Sequence, residues 1–103
     1  MTNLLPMVAV VFALAQPAAP PQPLIGGLQL DVTPHTAQVF VDGRFVGLVD
    51  DFRGYYKHMD IVAGWHTVEM FAPDREPLSF STLVAPNRTN TFRAAMEWAS
   101  YDR

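Results

Sequence analysis

The chain is expected to fold as a small all-β domain, an antiparallel β-sandwich of about seven short strands, preceded by an apolar N-terminal segment and a proline-rich linker. Three observations point there. Asp42-Gly43 stands between two β-favouring runs in Ala37–Gly47, and this dipeptide tolerates the positive φ angles of a type I′ hairpin turn. From Leu28 to Ala94 apolar residues recur with a period of two in short runs, broken by proline, glycine and asparagine. No stretch between those runs suits a long helix, and 103 residues leave room for one core.

The N-terminal third reads as a different polymer, because the first charged side chain is Asp31 and the first cationic one is Arg44. Residues 1–15 contain the apolar run Leu4–Ala15. As a helix it would reach roughly 18 Å, short of a hydrocarbon core about 30 Å thick. Its length and its ending Ala13-Leu14-Ala15 match the apolar region and cleavage site of a secretory signal, with the cut after Ala15. The basic residues that usually precede such a run are missing, so an uncleaved apolar tail is the alternative. Residues 16–27 hold four prolines among alanine and glutamine, then Gly26-Gly27, a composition for an extended spacer rather than a helix.

Within residues 28–94 the strands follow in order. Leu28, Leu30 and Val32 alternate with Gln29 and Asp31 as a half-buried strand stopped by Thr33-Pro34. The hairpin comes next, and its two-residue turn sets Val41 opposite Arg44, Phe40 opposite Phe45 and Val39 opposite Val46. Val49–Tyr55 is read as an irregular connection and Tyr56–Ile61 as a strand. Ala63-Gly64 turns into Trp65–Phe71, where His66, Val68 and Met70 point inward and Trp65 and Phe71 outward. Leu78–Val84 puts Leu78, Phe80, Thr82 and Val84 on one face, and Pro86-Asn87 leads into Thr89–Ala94. Residues 95–103 have room for one helical turn, too short to hold alone.

Composition excludes some functions. The net charge is −3 and no basic block exists, so the footprint of a nucleic-acid binder is absent. There is no cysteine, which removes thiolate catalysis and sulfur-ligated metal.

The strand before Pro34, the pattern Ala37-x-Val39-x-Val41-Asp42-Gly43, then Gly47, Gly64-x-His66-x-Val68, Pro77 and a final pair of strands resemble the PEGA domain in order and separation. Pro34-His35-Thr36-Ala37 stands where that family's Pro-Glu-Gly-Ala segment would be, so the glutamate and glycine are replaced, and Asp74-Arg75 replaces its Gly-Tyr. The resemblance implies a small β-sandwich of bacterial and archaeal envelope proteins that binds or scaffolds, with no catalytic residues. It implies a secreted, periplasmic or envelope location, a protein or glycan partner, and no cofactor. Contact with a membrane would come only through an uncleaved N-terminal segment.

Among single residues, His66 follows a turn glycine and shares its face with core positions, so a hydrogen-bonded, semi-buried structural role is expected. No Gly-x-Ser-x-Gly elbow supplies a nucleophile for it. Asp42, Gly43 and Gly64 are read as turn residues. Asp50, Asp51, His58 and Asp60 form a local set of oxygen and nitrogen ligands without the spacing of a calcium loop. They read as a solvated acidic loop, with a small metal-dependent hydrolase as the distant alternative. The aromatics carry the best functional signal, because both hairpin faces are apolar and only one can fill the core. Phe40, Phe45, Trp65 and Phe71 are the candidate binding residues. The competing reading is that Tyr55, Tyr56 or Trp98 wraps this layer, or that an oligomer buries it and the domain is a structural accessory.

Overall fold

The computed structural model describes residues 22–100. The signal-like segment and the first half of the expected spacer, residues 16–21, therefore lie outside the described residues. Seven strands follow in order: β1 (Ile25–Thr33), β2 (Gln38–Val41), β3 (Arg44–Leu48), β4 (Met59–Val62), β5 (Gly64–Phe71), β6 (Leu78–Val84) and β7 (Thr89–Ala95), with one 3-10 turn at Val49–Phe52. They form a three-stranded sheet, β4-β1-β7, and a four-stranded sheet, β3-β2-β5-β6. The all-β expectation holds.

The period of two does the sorting. Leu28, Leu30 and Val32 of β1, Met59 and Ile61 of β4, Val39 and Val41 of β2, Val68 and Met70 of β5 and Val84 of β6 all point between the sheets, and Ala37, Val49 and Met96 complete the buried cluster. Burying this layer supplies the main favourable term, at roughly 1.5–3 kcal/mol per large aliphatic side chain. Phe80 and Phe92 stack at a centroid distance of 3.7 Å, half-buried against that cluster.

Five details differ from the sequence expectation, each for a local reason. First, β1 begins at Ile25, so Gly26 and Gly27 are strand residues and not the end of a linker. A Cβ on Gly26 would lie 2.3 Å from the Ala85 carbonyl oxygen and 2.5 Å from Val84 Cγ1; the glycine is there for close approach of backbone to the β6–β7 connection. Second, the β1–β7 pair is parallel, whereas every other ladder is antiparallel. Strand β7 follows an arch from one sheet to the other and so enters beside β1 in the same direction.

Third, the hairpin carries a bulge. Asp42 and Gly43 have φ of 51° and 84°, as a type I′ turn requires, and Phe40 opposes Phe45 and Val41 opposes Arg44; Val39, however, opposes Gly47. Val46 is the extra residue, turned away from Val39. Fourth, β4 starts at Met59 and not at Tyr56, because the Gln29 side-chain amide donates to the Gly54 and Lys57 carbonyls at 2.7 and 3.1 Å and holds that segment against the sheet as a loop. Fifth, residues 96–100 are extended rather than helical, and the last three of the expected tail lie outside the described residues. Glu76 N–H donates to the Glu97 carbonyl at 2.8 Å, Arg75 and Trp98 form an isolated bridge, and the Arg75 guanidinium lies 3.6 Å from the Trp98 ring centroid. Backbone pairing with the β5–β6 connection and this cation–π contact outweigh a helical turn that has no partner of its own.

Candidate functional site

Alternation along β2 and β5 that sends Val39, Val41, Val68 and Met70 inward sends Phe40, Trp65 and Phe71 to the solvent side of the four-stranded sheet. Phe40 is the centre of a trio. Its ring meets Phe45 edge-to-face at 5.6 Å and 65°, and Phe71 edge-to-face at 5.5 Å and 84°. The cross-strand register explains this: Phe40 opposes Phe45 directly, while Phe71 opposes Gln38, its diagonal neighbour. Phe45 is 57% exposed and Phe71 39%, and Phe40 is half-buried beneath them. A shallow groove of about 310 Å³, lined by Thr36, Gln38, Leu48, Phe71, Ala72 and Pro73, continues from the trio toward the end of the sheet.

Trp65 is not part of this group. It stands six residues from Phe71 along β5, roughly 20 Å at about 3.4 Å per residue, with Thr67 and Glu69 between them on the same face. Its cross-strand neighbour is Leu83. The four candidate binding residues thus divide into a phenyl cluster and a separate tryptophan. Nor do the other aromatics wrap the cluster: Tyr55 and Tyr56 are 89% and 88% exposed and touch each other, and Trp98 is engaged by Arg75.

His66 has the expected semi-buried position but a fuller set of partners. Its Nε2 lies 2.6 Å from the Val62 carbonyl and its Nδ1 2.5 Å from Asp42 Oδ2. Both partners are acceptors, so the geometry fits the doubly protonated ring, with each nitrogen donating. The Asp42 hydrogen bond raises the His66 pKa above its ordinary value, with help from the Val62 carbonyl and the Asp42 charge and against the cost of burial. In return the His66 hydrogen bond, and a second from Thr67 N–H at 2.9 Å, lower the Asp42 pKa. Asp42 therefore does more than make a turn: it ties the hairpin tip to β5. This pair forms one wall of an open cleft of about 400 Å³ with Arg44, Val46 and Asp60. The sequence contained both residues but not the β2–β5 register that brings them together.

The four residues of the hydrolase alternative are split between partners. Asp50 accepts from Arg53 at 3.0 Å, Asp51 accepts from Leu48 N–H at 2.9 Å, and His58 pairs with Asp60 at 3.0 Å. No group of three or more potential metal ligands exists among the described residues. Gln29 was missed as a structural residue; it also accepts from the Thr91 hydroxyl at 3.0 Å.

Compared with known proteins, the chain matches no family model, no curated protein and no solved structure.

Proposed function

We propose that this chain is a non-catalytic binding or scaffolding module of the cell envelope, PEGA-like in kind, whose contact surface is the Phe40–Phe45–Phe71 cluster. The observation that carries the reading is the placement of three phenyl rings on the solvent side of a sheet, Phe45 and Phe71 each edge-to-face with Phe40, uncovered by any other described residue. Apolar aromatic groups exposed together on a small domain favour association. A protein segment fits better than a glycan. Stacking on a sugar needs open flat ring faces with polar groups at their edges, and phenylalanine offers no polar edge; the adjoining groove, with Leu48, Ala72 and Pro73, suits an apolar side chain of a partner.

The test is the double substitution Phe45→Ala and Phe71→Ala. Both side chains lie outside the buried core, so the double variant keeps its fold while losing two edge-to-face contacts with Phe40, about 0.5–1.5 kcal/mol each; covering the two rings in a complex is worth about 1 kcal/mol or more each, a loss of at least roughly tenfold in affinity. Unchanged capture of the envelope partner by a folded double variant overturns the proposal. Sedimentation separates the accessory reading: a concentration-independent dimer that the same substitutions dissociate means that the cluster is buried between copies.

A further inference from the structure

The outer side of the three-stranded sheet, the sheet that does not carry the phenyl cluster, holds a groove of about 380 Å³. Parity builds its floor. Gln29 and Asp31 of β1 point away from the core, and the parallel register sets them opposite Thr91 and Arg93 of β7. The wall is the loop after the 3-10 turn, with Arg53, Gly54 and Tyr55. The Gln29 amide pins that loop by donating to the Gly54 and Lys57 carbonyls, and the Thr91 hydroxyl donates in turn to Gln29 Oε1 at 3.0 Å.

The pinned loop covers neither of its rings. Tyr55 and Tyr56 meet edge-to-face at 4.9 Å and 68° yet are 89% and 88% exposed, so the Gln29 hydrogen bonds hold aromatic surface in place without burying it. The polar groups beside them are only partly used. Arg93 gives Nε alone to Asp31 Oδ2, and Arg53 gives Nε and Nη2 to Asp50 Oδ1. Among the described residues, both terminal nitrogens of Arg93, Nη1 of Arg53, Oδ1 of Asp31 and the Tyr55 hydroxyl make no further hydrogen bond. The face has no net charge with His58 neutral: Asp31, Asp50 and Asp60 are matched by Arg93, Arg53 and Lys57, His58 pairs with Asp60, and Asp51 is turned toward β3 by the Leu48 N–H.

We propose that this groove binds a neutral saccharide, a β-linked pyranose chain whose equatorial substituents leave flat C–H faces. Each sugar hydroxyl both donates and accepts. The arginine forks donate to it, the Asp31 carboxylate accepts from it, and Tyr55 offers a ring face with the polar edge that the phenyl cluster lacks. An apolar segment would desolvate these groups without pairing them, and a polyanion would meet Asp31 on a face with no positive excess. The volume is at the small end of the range of about 300–1,000 Å³ for small-molecule sites, room for roughly one or two sugar rings. Because Gln29 already holds the loop, little ordering is left to be done on binding. The groove shares no residue with the phenyl cluster, so the failure of either proposal leaves the other standing.

The test titrates the isotopically labelled full chain with cellotetraose, with chitotetraose and, separately, with the anionic tetragalacturonate, following backbone amide shifts by NMR. Expected are saturable shifts in residues 53–57 and 91–93 with a neutral tetrasaccharide, and none at Phe40, Phe45 or Phe71. Tyr55→Ala should weaken that binding about five- to tenfold at an unchanged melting temperature, and Tyr55→Phe by less. The proposal is overturned if neither neutral sugar shifts the groove amides, if the shifts fall at the phenyl cluster instead, if tetragalacturonate binds more tightly, or if Tyr55→Ala binds as the parent chain does.

Discussion

Gly26→Ala separates two readings of the same residue by the sign of its effect. Were Gly26 the end of a flexible linker, alanine would restrict the unfolded chain and stabilise the fold by about 0.4–1 kcal/mol. In β1 the new methyl group would stand 2.3 Å from the Ala85 carbonyl oxygen, 2.5 Å from Val84 Cγ1 and 3.2 Å from the Arg88 carbonyl oxygen. Contacts of carbon with oxygen or carbon rarely fall below 3 Å, so β1 and the β6–β7 connection must move apart by more than half an ångström. Val84 offers no relief, being 1% exposed in the core, and the Ala85 oxygen belongs to the backbone. Overpacking of this kind costs about 1–3 kcal/mol, and the gain from removing a strand glycine offsets about 0.5–1 kcal/mol of it. A net loss of about 1–2 kcal/mol should lower the melting temperature by roughly 4–15 °C in a domain of this size. Urea and thermal unfolding followed by far-ultraviolet circular dichroism measure it. A midpoint equal to or above that of the parent chain would refute the packing of Gly26 against Ala85.

Further expectations concern the groups that hold loops and tips in place. Because the folded His66 pKa lies above its ordinary value of 6.5, the stability it contributes is complete below that pH and is lost as pH rises through the folded value. Asp42 works in the opposite sense, its contribution being present above its ordinary 3.8 and lost as pH falls through the depressed folded value. Stability to urea should therefore be highest between about pH 4 and 6.5, and Asp42→Asn should flatten the alkaline limb; an NMR titration that places the His66 midpoint at or below 6.5 would contradict this. Gln29→Leu should release the 54–57 segment from the sheet, seen as faster amide exchange in residues 54–58 and a loss of about 1–2 kcal/mol in urea unfolding; unchanged exchange would show that the amide does not hold the loop. Leu30→Ala, at a fully buried position, should cost about 2–5 kcal/mol, and a loss below 1 kcal/mol would mean that β1 is not central to the core.

Much of the fold was legible because it depends on alternation and turn chemistry, both of which are local. Leu28-x-Leu30-x-Val32 and Val68-x-Met70 could bury one face only as strands, and Asp42-Gly43 could turn only one way. What escaped the sequence depends on neighbours far along the chain. The parallel β1–β7 pair, the approach of Gly26 to Ala85 and the capture of the Tyr55–Lys57 segment by Gln29 are set by how the sheets stack. The bulge at Val46 lies within two residues of Gly47 yet breaks the simple hairpin count, because the close fit of Gly47 to Asp51 and Phe52 fixes where β3 ends. The same limit applies to the site. Outward positions for Phe40, Phe45, Trp65 and Phe71 followed from parity, but only the register shows that three of them meet and that Trp65 stands apart. Asp42 and His66 were each read alone, and their pairing needed the β2–β5 ladder.

The contact surface assigned to the phenyl cluster can be tested directly by placing a photo-crosslinking phenylalanine analogue at Phe45 in the chain expressed in its own host, with Ser81 on the same sheet face as the control position. If the cluster is the contact surface, irradiation yields a discrete adduct with an envelope protein from position 45 and none from position 81. Equal adducts from both positions, or none from position 45, would contradict it.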